Sequence, residues 1–501
     1  MSEYLHGAYG EAQGNGNRVA DEANSVMVAI GTAPVNQLAL GTGESYPVSK
    51  PILVRNIAEA KAAFGYSDEW DKYTLCEAMH HFLENEGVGP LVLINVLDPT
   101  LAAHKETNPV TATKTPSNGQ VILTNAEDAI LDSLVIATTD STPVTKVKGT
   151  DYTVAYNQAK KQIVVTSIGT NLGTGSLTLT YNAVKPSGVT DSDVAGTTDN
   201  AGSNTGVYAV RSVYPMTGYI PAYMIAPGFS SHPTVHEAMA AASRKIGGHW
   251  DAWLFTDIPI VDGSSNPVTM AGAMTWKETN GYNQPNETVN FPMVAGTDDK
   301  KYHLSTLRAA SHLKLLLEND GIPYQSASNT DAPIIAKLWL GASDTNVYDD
   351  EIINESLNKN GIASAAYIGN RWALWGAHAA DYSQSNKTAI NVAETARMMM
   401  FYVSNDFQIR RTEDVDKPIT RNDLDSIIAE EQSRLDSLVN MGALLYGQAM
   451  MSAEAIERSD MISGDFVFEF RITTMPLAKS LTAYVTWVDD GYEVFYADEA
   501  V

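Results

Sequence analysis

A change of residue pattern in the first half of the chain constrains the fold most. From about residue 105 to 185 the sequence is rich in Thr, Ser, Val, Asn and Gly, and its apolar residues alternate in short runs. The runs at 151–156 (DYTVAY) and 162–167 (QIVVTS) predict a hairpin, and SLTLTY at 176–181 predicts a third strand. We therefore expect an all-β module, a sandwich, inserted at residues 101–188.

The segments on both sides of this module predict an α/β body. Apolar runs of five to seven residues, typical of strands buried on both faces, alternate there with helical patterns. The predicted strands are 26–31, 91–96, 222–226, 250–256 and 334–340, and the predicted helices are 56–64, 72–84, 234–246 and 304–318. This order predicts a parallel sheet covered by helices, built from residues 21–100 and 189–366.

The last third of the chain predicts a separate α+β domain at residues 367–488. Its long helix, residues 420–446, has a marked start, because Thr420 and Asp423 have the spacing of a capping box. Two strands are expected after it, at 466–473 and 483–488. The apolar stripe of the helix consists of Leu424, Ile427, Ile428, Leu435, Leu438 and Leu445.

Both ends of the chain have the composition of arms. Residues 1–20 are Gly-rich and too polar to pack alone. Residues 489–501 contain five acidic side chains and no Lys or Arg, and they alternate like a strand that has no neighbour in sequence. Another chain can complete such a strand by β-augmentation; simple fraying of the termini explains the same composition.

The length and charge of the chain exclude several classes of protein. Its 501 residues amount to roughly three or four domains, and 44% hydrophobic against 18% charged residues exclude wholesale disorder. The net charge of −26 argues against a partner that is nucleic acid or an anionic membrane. Residues 1–16 lack the pattern of a secretory signal, so we expect a protein that is made and kept in a cytoplasm.

No motif predicts catalysis, a cofactor or a metal. The single cysteine excludes an intrachain disulfide. Cys76, His80 and Glu84 fall on one stripe of a predicted helix and could hold a metal, but an ordinary amphipathic helix explains them better. The segment 228–232 (GFSSH) lacks the G-x-S-x-G pattern of a serine hydrolase, and no glycine-rich fragment completes a P-loop. We expect no enzyme activity and no cofactor.

Several segments together resemble the contractile tail sheath protein of myovirus-type bacteriophages. The resemblance runs in order along nearly the whole chain. It is carried by residues 4–11 (YLHGAYGE), 25–34 (SVMVAIGTAP), 151–169, 176–196, 205–239 (TGVYAVRSVYPMTGYIPAYMIAPGFSSHPTVHEAM) and 370–381 (NRWALWGAHAAD). Residues 205–239 are the most specific of these.

The resemblance implies a fold and a function. Residues 189–366 would be a subtilisin-like α/β domain in topology only, and residues 367–488 an inner domain that faces the tail tube. The subunit would polymerise helically around the tube, in rings of six, and contract to drive the tube through the host envelope for genome ejection. Its partners would be other copies of itself, the tail tube protein, and the baseplate and tail terminator proteins. It would reside in the virion tail after assembly in the bacterial cytoplasm.

The resemblance also implies roles for particular residues. Arms at 1–20 and 489–501 would add strands to neighbouring subunits. The charged side of the 420–446 helix would contact the tube, although a merely solvated side explains it as well. The predicted arm contacts are Tyr4, Leu5, Tyr9, Val19, Tyr492, Val494 and Tyr496, and the predicted tube-facing residues are Arg421, Asp425, Glu430, Glu431, Arg434 and Asp436.

Three other functions remain open at this point. The first is the sheath of an R-type bacteriocin or another contractile injection particle, which the sequence does not separate from a phage sheath. The second is a hydrolase with a subtilisin fold. The third is a surface-layer or adhesin protein, which the absence of a signal pattern disfavours.

Overall fold

The computed structural model describes residues 25–41, 43–451, 464–489 and 492. The first α/β part contains β1 (Ser25–Gly31), β2 (Ile52–Val54), α1 (Ile57–Phe64), α2 (Leu75–His80) and β3 (Leu91–Asn95). The β-rich part that follows contains β4 (Val110–Lys114), β5 (Gln120–Thr124), β6 (Val135–Thr138), β7 (Thr145–Lys146), β8 (Tyr152–Asn157), β9 (Gln162–Ser167) and β10 (Leu177–Tyr181).

The chain then returns to mixed structure. This second part contains α3 (Asp191–Ala195), α4 (Val213–Thr217), β11 (Ile220–Ile225), α5 (Pro233–Ala242), β12 (Trp253–Asp257), α6 (Ala273–Thr279), β13 (Glu287–Asn290), β14 (Met293–Gly296), β15 (Lys301–Tyr302), α7 (Leu304–Glu318), β16 (Ile335–Trp339), α8 (Asp350–Ser356), β17 (Ile362–Ile368) and β18 (Arg371–Trp375). The last part contains α9 (Glu394–Arg411), α10 (Arg421–Asn440), β19 (Leu444–Met451) and β20 (Phe468–Thr474).

An eight-stranded sheet in the order β18-β17-β13-β12-β11-β1-β3-β2 forms the centre of the body. Its six inner strands are parallel, and the strand at each edge is antiparallel. Strands β3, β11 and β12 are buried along their whole length, because helices and loops cover both faces. This is the covered parallel sheet that the apolar runs predicted.

The β-rich part folds as two antiparallel sheets over a core of its own. The sheets have the orders β4-β10-β6-β7 and β5-β9-β8. Alternate residues of both sheets point into one hydrophobic cluster, which includes Val121, Ile136, Ile163 and Leu179. The predicted hairpin at 151–167 forms with Tyr152 opposite Ser167.

The predicted strand at 334–340 lies outside the central sheet. It is β16, which pairs antiparallel with β14 in a three-stranded sheet of order β15-β14-β16. The prediction of the strand was right, but its expected place in the parallel sheet was wrong. An apolar run specifies burial, whereas the neighbour of the strand depends on residues distant in sequence.

Two helices and a hairpin of strands form the C-terminal part. The capping box at Thr420 and Asp423 is present, and α10 begins at Arg421 as predicted. The helix ends at Asn440, however, so Leu445 belongs to β19, where it is 57% exposed. Leu435 and Leu438 pack with Met399 and Val403 of α9 in a third core.

The strand predicted at 483–488 does not form. These residues follow β20 without regular structure, and Tyr484 and Val485 are 93% and 94% exposed. The alternation of the segment suits a strand, but within the described residues no other strand pairs with it. None of the helices in the described ranges is long and apolar enough to cross a bilayer.

Candidate functional site

Serine, histidine and carboxylate side chains meet at the carboxyl edge of the central sheet. Asp257 ends β12, and its carboxylate accepts hydrogen bonds from the Ser230 hydroxyl (3.2 Å), the Ser305 amide (2.9 Å) and the Ser305 hydroxyl. His303, just before α7, donates its backbone N–H to Glu77 (2.8 Å) and places Nδ1 2.7 Å from the same carboxylate. The cluster ties α2, β12 and α7 together.

This cluster does not have the geometry of a hydrolase. A nucleophilic serine needs a histidine within hydrogen-bond distance. Both serines bond Asp257 instead, and Ser230 is fully buried. Burial raises the pKa of Asp257; burial alone would lower the pKa of His303, but Glu77, helped by Asp257, raises it to about 9. His303 is therefore a cation at neutral pH and not a free general base.

Other buried polar groups between the sheet and its helices also serve packing. Lys277 of α6 donates to the carbonyls of Asn360, Gly361 and Ala380 at 2.5–3.3 Å, and burial lowers its pKa to about 8. Arg308 of α7 bonds Glu394 of α9 at 2.8 Å, with both side chains buried. These contacts join segments distant in sequence through groups that have no access to a substrate.

The three residues considered for a metal do not form a metal site. Cys76 is fully buried and accepts a hydrogen bond from the Ser67 amide, and burial raises the pKa of its thiol to about 12. His80 lies 3.1 Å from Glu84, so these two side chains pair with each other. Within the described part of the chain, no group of three metal-binding side chains comes together.

An ion-pair network joins the two C-terminal helices and corrects the predicted charged side of α10. Glu431 is 3% exposed and forms two hydrogen bonds with Arg410 of α9, at 2.6 and 2.7 Å. Arg434 points the same way and bonds Asp406 of α9 at 2.6 Å. These two residues hold the helices together, so they are not part of the exposed side. Sequence spacing missed this because α9 was not predicted.

Four predicted residues remain on the outer side of α10. Arg421 and Asp425 pair with each other at 3.2 Å, and their side chains are 81% and 56% exposed. Glu430 is 63% exposed at its bond to Arg411, and Asp436 accepts a bond from Gln432. This side of the helix carries both signs of charge and is open to a partner.

The sheet of β19 and β20 next to these helices has open edges. The two strands pair only with each other within the described residues. Beyond β20 the chain exposes a run of large apolar side chains, Leu481, Tyr484, Val485, Trp487 and Val488, each at least 60% exposed. An exposed apolar stretch of this size marks an interaction site. Sequence patterns missed this segment, because they predict a strand of the domain at residues 483–488 and indicate the lack of a partner only for residues 489–501.

Most of the predicted arm contacts lie outside the described residues. These are Tyr4, Leu5, Tyr9, Val19, Val494 and Tyr496. Tyr492 is described, is 58% exposed and donates its amide to the carbonyl of Asp489 at 2.9 Å. Its predicted contact with another subunit stays a prediction.

Comparison with known proteins gives a relative over almost the whole length. No family model matches the chain. The tail sheath protein of Burkholderia phage BcepMu is 25% identical over 515 aligned positions, which cover 98% of each protein. The resemblance to contractile tail sheath proteins predicted from the sequence is thereby confirmed.

One solved structure shares the fold, and a second aligns along most of the chain with a lower score. A chain from the baseplate of the anti-feeding prophage aligns with a TM-score of 0.54 and 12% identity, over 97% of this chain and 100% of that one. A sheath tail protein from Desulfitobacterium hafniense aligns with a TM-score of 0.45 and 11% identity, over 94% of this chain and 100% of that one. The first likeness shows that this chain shares its mixed α/β architecture with several sheets with a chain of that baseplate.

Proposed function

We propose that this chain is a structural subunit of a contractile phage tail sheath. The relationship to a phage tail sheath protein along 98% of both chains carries this conclusion. The subunit polymerises helically around a tail tube and contracts, which drives the tube through the envelope of the host cell for genome ejection. The chain is not an enzyme, and Ser230 and Ser305, bonded to a buried carboxylate, agree with that.

The contacts between subunits are made by strand addition. A helical polymer needs head-to-tail contacts that do not close on themselves. The open edges of β19 and β20 offer backbone hydrogen-bond groups, and the exposed run of residues 481–488 offers a strand with no partner in its own chain. The C-terminal arm therefore begins at the end of β20 and not at residue 489, where the sequence predicted its start. The N-terminal arm, residues 1–20, likewise adds a strand to a neighbouring subunit.

The outer side of α10 faces the tube. Arg421, Asp425, Glu430 and Asp436 are the residues proposed for this contact, because their side chains are exposed in the subunit. Glu431 and Arg434 act indirectly by fixing α10 on α9. Their network positions the helix as a rigid unit.

Contraction proceeds by reorientation of rigid bodies that are linked by the arms. Subunits assemble in an extended lattice, with rings of six, and move into a shorter and wider lattice with more contact. A gain of roughly 1 kcal/mol per subunit, the scale of one net hydrogen bond, summed over many rings supplies the work. The mechanism needs no nucleotide.

The finer domain assignments belong to the same proposal. The predicted body was residues 21–100 and 189–366, but β17 and β18 belong to the central sheet, so the body extends to the end of β18. Its second segment has a subtilisin-like topology. The insertion at 101–188 is a β-sandwich, and the residues between the end of β18 and the end of β20 form the inner domain. The partners are further copies of the chain, the tail tube protein, and the baseplate and tail terminator proteins. The protein resides in the virion tail and is assembled in the host cytoplasm.

A sheath of an R-type bacteriocin or another contractile injection particle is the second candidate. It is favoured by the likeness of the fold to a chain in the anti-feeding prophage baseplate. The two candidates differ in whether the particle carries a genome. Neighbouring capsid and terminase genes, or packaged DNA in the purified particle, identify a phage.

Electron microscopy of the purified chain tests the proposal. We expect hollow tubes or stacked rings in negative stain at high protein concentration. Co-expression with the cognate tube protein should give longer tubes with a filled centre. A chain that stays monomeric at all concentrations, with and without the tube protein, contradicts the proposal.

A further inference from the structure

One face of the three-stranded sheet β15-β14-β16 presents two lysines close to a tryptophan. Lys301 of β15, Ala295 of β14 and Lys337 of β16 are in register across the sheet. Met293 and Trp339, two residues further along β14 and β16, pair on the same face. The opposite face, with Tyr302, Val294 and Leu338, is buried in the body.

Both ammonium groups lie over the indole ring of Trp339. The Nζ atom of Lys301 is 4.3 Å and that of Lys337 is 5.5 Å from the ring centroid. Attraction to the ring face holds each lysine in place and reduces the side-chain freedom that an incoming partner would have to restrict. We call Lys301, Lys337 and Trp339 the lysine–tryptophan face.

Neither lysine of this face has a carboxylate partner within the described ranges. The neighbouring Lys300 differs, because it pairs with Asp68 at 2.9 Å. The chain as a whole has 59 acidic against 33 basic side chains. The two ammonium groups are held over a ring and carry positive charge that no carboxylate of the described chain neutralises, so they suit an acidic partner.

An exposed segment of the same chain has the matching chemistry. Residues 344–355 (DTNVYDDEIINE), the acidic segment, contain five carboxylates and no Lys or Arg. Asp350 and Glu351 are exposed and have no hydrogen bond or ion pair from their carboxylates within the described residues. Val347, in the middle of the segment, is 92% exposed, so the segment also offers an apolar side chain to an aromatic surface.

We propose that the lysine–tryptophan face of one subunit binds the acidic segment of a second copy of this chain. Lys301 and Lys337 pair with Asp350 and Glu351, and Val347 packs against Trp339. Repeated head to tail, so that each subunit uses its face on one neighbour and its acidic segment on another, this contact is heterologous and extends an open polymer. It joins the bodies of two subunits directly and is separate from strand addition by the arms. The inference rests on the proposed function in that it names one contact of the polymer.

Zero-length cross-linking identifies the contact. Full-length chains labelled with ¹⁴N and ¹⁵N are mixed in equal amounts at assembly concentration and treated with a carbodiimide, which joins an amine to a carboxylate in contact. We expect mixed-isotope peptides that link Lys301 or Lys337 to residues 344–355. The Lys300–Asp68 pair supplies the internal control, since it should cross-link within one isotope.

Charge reversal gives an independent measurement. The double variant Lys301→Glu, Lys337→Glu should lower the polymerised fraction at least tenfold in sedimentation. Lys114 is an exposed lysine on a strand of the insertion, far from this face in sequence. The control variant Lys114→Glu reverses one charge there and should polymerise to the same extent as the parent chain. Adding Asp350→Lys and Glu351→Lys to the double variant should restore assembly, which a folding defect would not permit.

The outcomes separate this contact from the sheath function. Tubes that form in both the parent chain and the double variant, without mixed-isotope links from Lys301 or Lys337, overturn the contact and leave the sheath proposal standing. Mixed-isotope links at this place in particles that are never tubular support the contact and contradict the sheath. Links from these lysines only to residues 489–501, or only to a tube protein, overturn the choice of partner.

Discussion

Arg410 and Glu431 form two parallel hydrogen bonds, of 2.7 and 2.6 Å, in the space between α9 and α10. Arg410 also bonds Asp406 at 2.8 Å, and Arg411 reaches Glu431 from the same turn of α9. Burial raises the pKa of Asp406 although Arg434 and Arg410 oppose that effect. The orientation of α10, and with it the surface proposed to face the tube, depends on this network.

Replacing Glu431 with Gln should destabilise the C-terminal part by about 3 kcal/mol, because two arginines then lose a buried partner. Asp425→Asn, at an exposed pair on the same helix, is the matched control and should cost less than about 1 kcal/mol. Urea unfolding at pH 7 measures the free-energy cost of each variant, and a separate hydrogen-exchange experiment on the folded protein locates that cost in α9 and α10. Equal costs for the two variants would mean that the network contributes no more than a surface pair.

His303 should make stability fall as the pH rises above neutral. Its pKa is raised from 6.5 to about 9 by Glu77 and Asp257, so the cation is stabilised in the folded state. The stabilisation is complete below pH 6.5 and is lost through pH 9, by up to about 3 kcal/mol.

The difference in unfolding free energy between the parent chain and His303→Gln isolates this effect. The other titrating groups, including Lys277, cancel in the difference. We expect a large difference at pH 6 that shrinks towards pH 9.5. A difference that does not depend on pH would show that His303 is not charged in the folded protein.

The side chain of Asn36, in the body, should stabilise the docking of the insertion through its hydrogen bonds. Its buried amide donates to the carbonyls of Glu127 and Ala129, at 2.9 and 3.0 Å. Asn36→Ala leaves both carbonyls without that donor, at a cost of about 1–3 kcal/mol. Hydrogen exchange should rise at residues 127–130. Asn171→Ala, which removes a bond inside the insertion, should not change exchange there.

Removal of either arm should abolish polymerisation without unfolding the subunit. The two truncations lack residues 1–20 or residues from 476 onward. Residues 481–488 make few contacts with the body, since their large apolar side chains are exposed, so the second truncation should melt like the parent chain. Negative-stain images that show full-length tubes from both truncated chains would refute strand addition by the arms.

A fluorophosphonate probe should leave the folded protein unlabelled. Ser230 is fully buried, and both it and Ser305 bond Asp257 rather than a histidine. Urea-unfolded protein should also fail to react, because no activated serine exists in either state. Stoichiometric labelling of a serine in the folded chain would revive the hydrolase alternative.

Local sequence patterns were sufficient to predict the elements that depend on a few consecutive residues. The buried strands β1 and β3 follow from uninterrupted apolar runs, and the start of α10 follows from the side chains of Thr420 and Asp423. The insertion was visible because alternation with period two differs from the patterns on both sides of it. These signals lie within one element, so they do not require knowledge of its neighbours.

Residues distant in sequence decided how the strands pair and which charged side chains are buried. The sequence alone determined that 335–339 and 483–488 have strand patterns, and that Glu431 is charged. The tertiary structure decided that the first joins a separate antiparallel sheet, that the second finds no partner in the described chain, and that Glu431 turns inward to Arg410. Strand pairing and the burial of a charge depend on which groups approach from elsewhere in the chain, and a periodic pattern contains no such information.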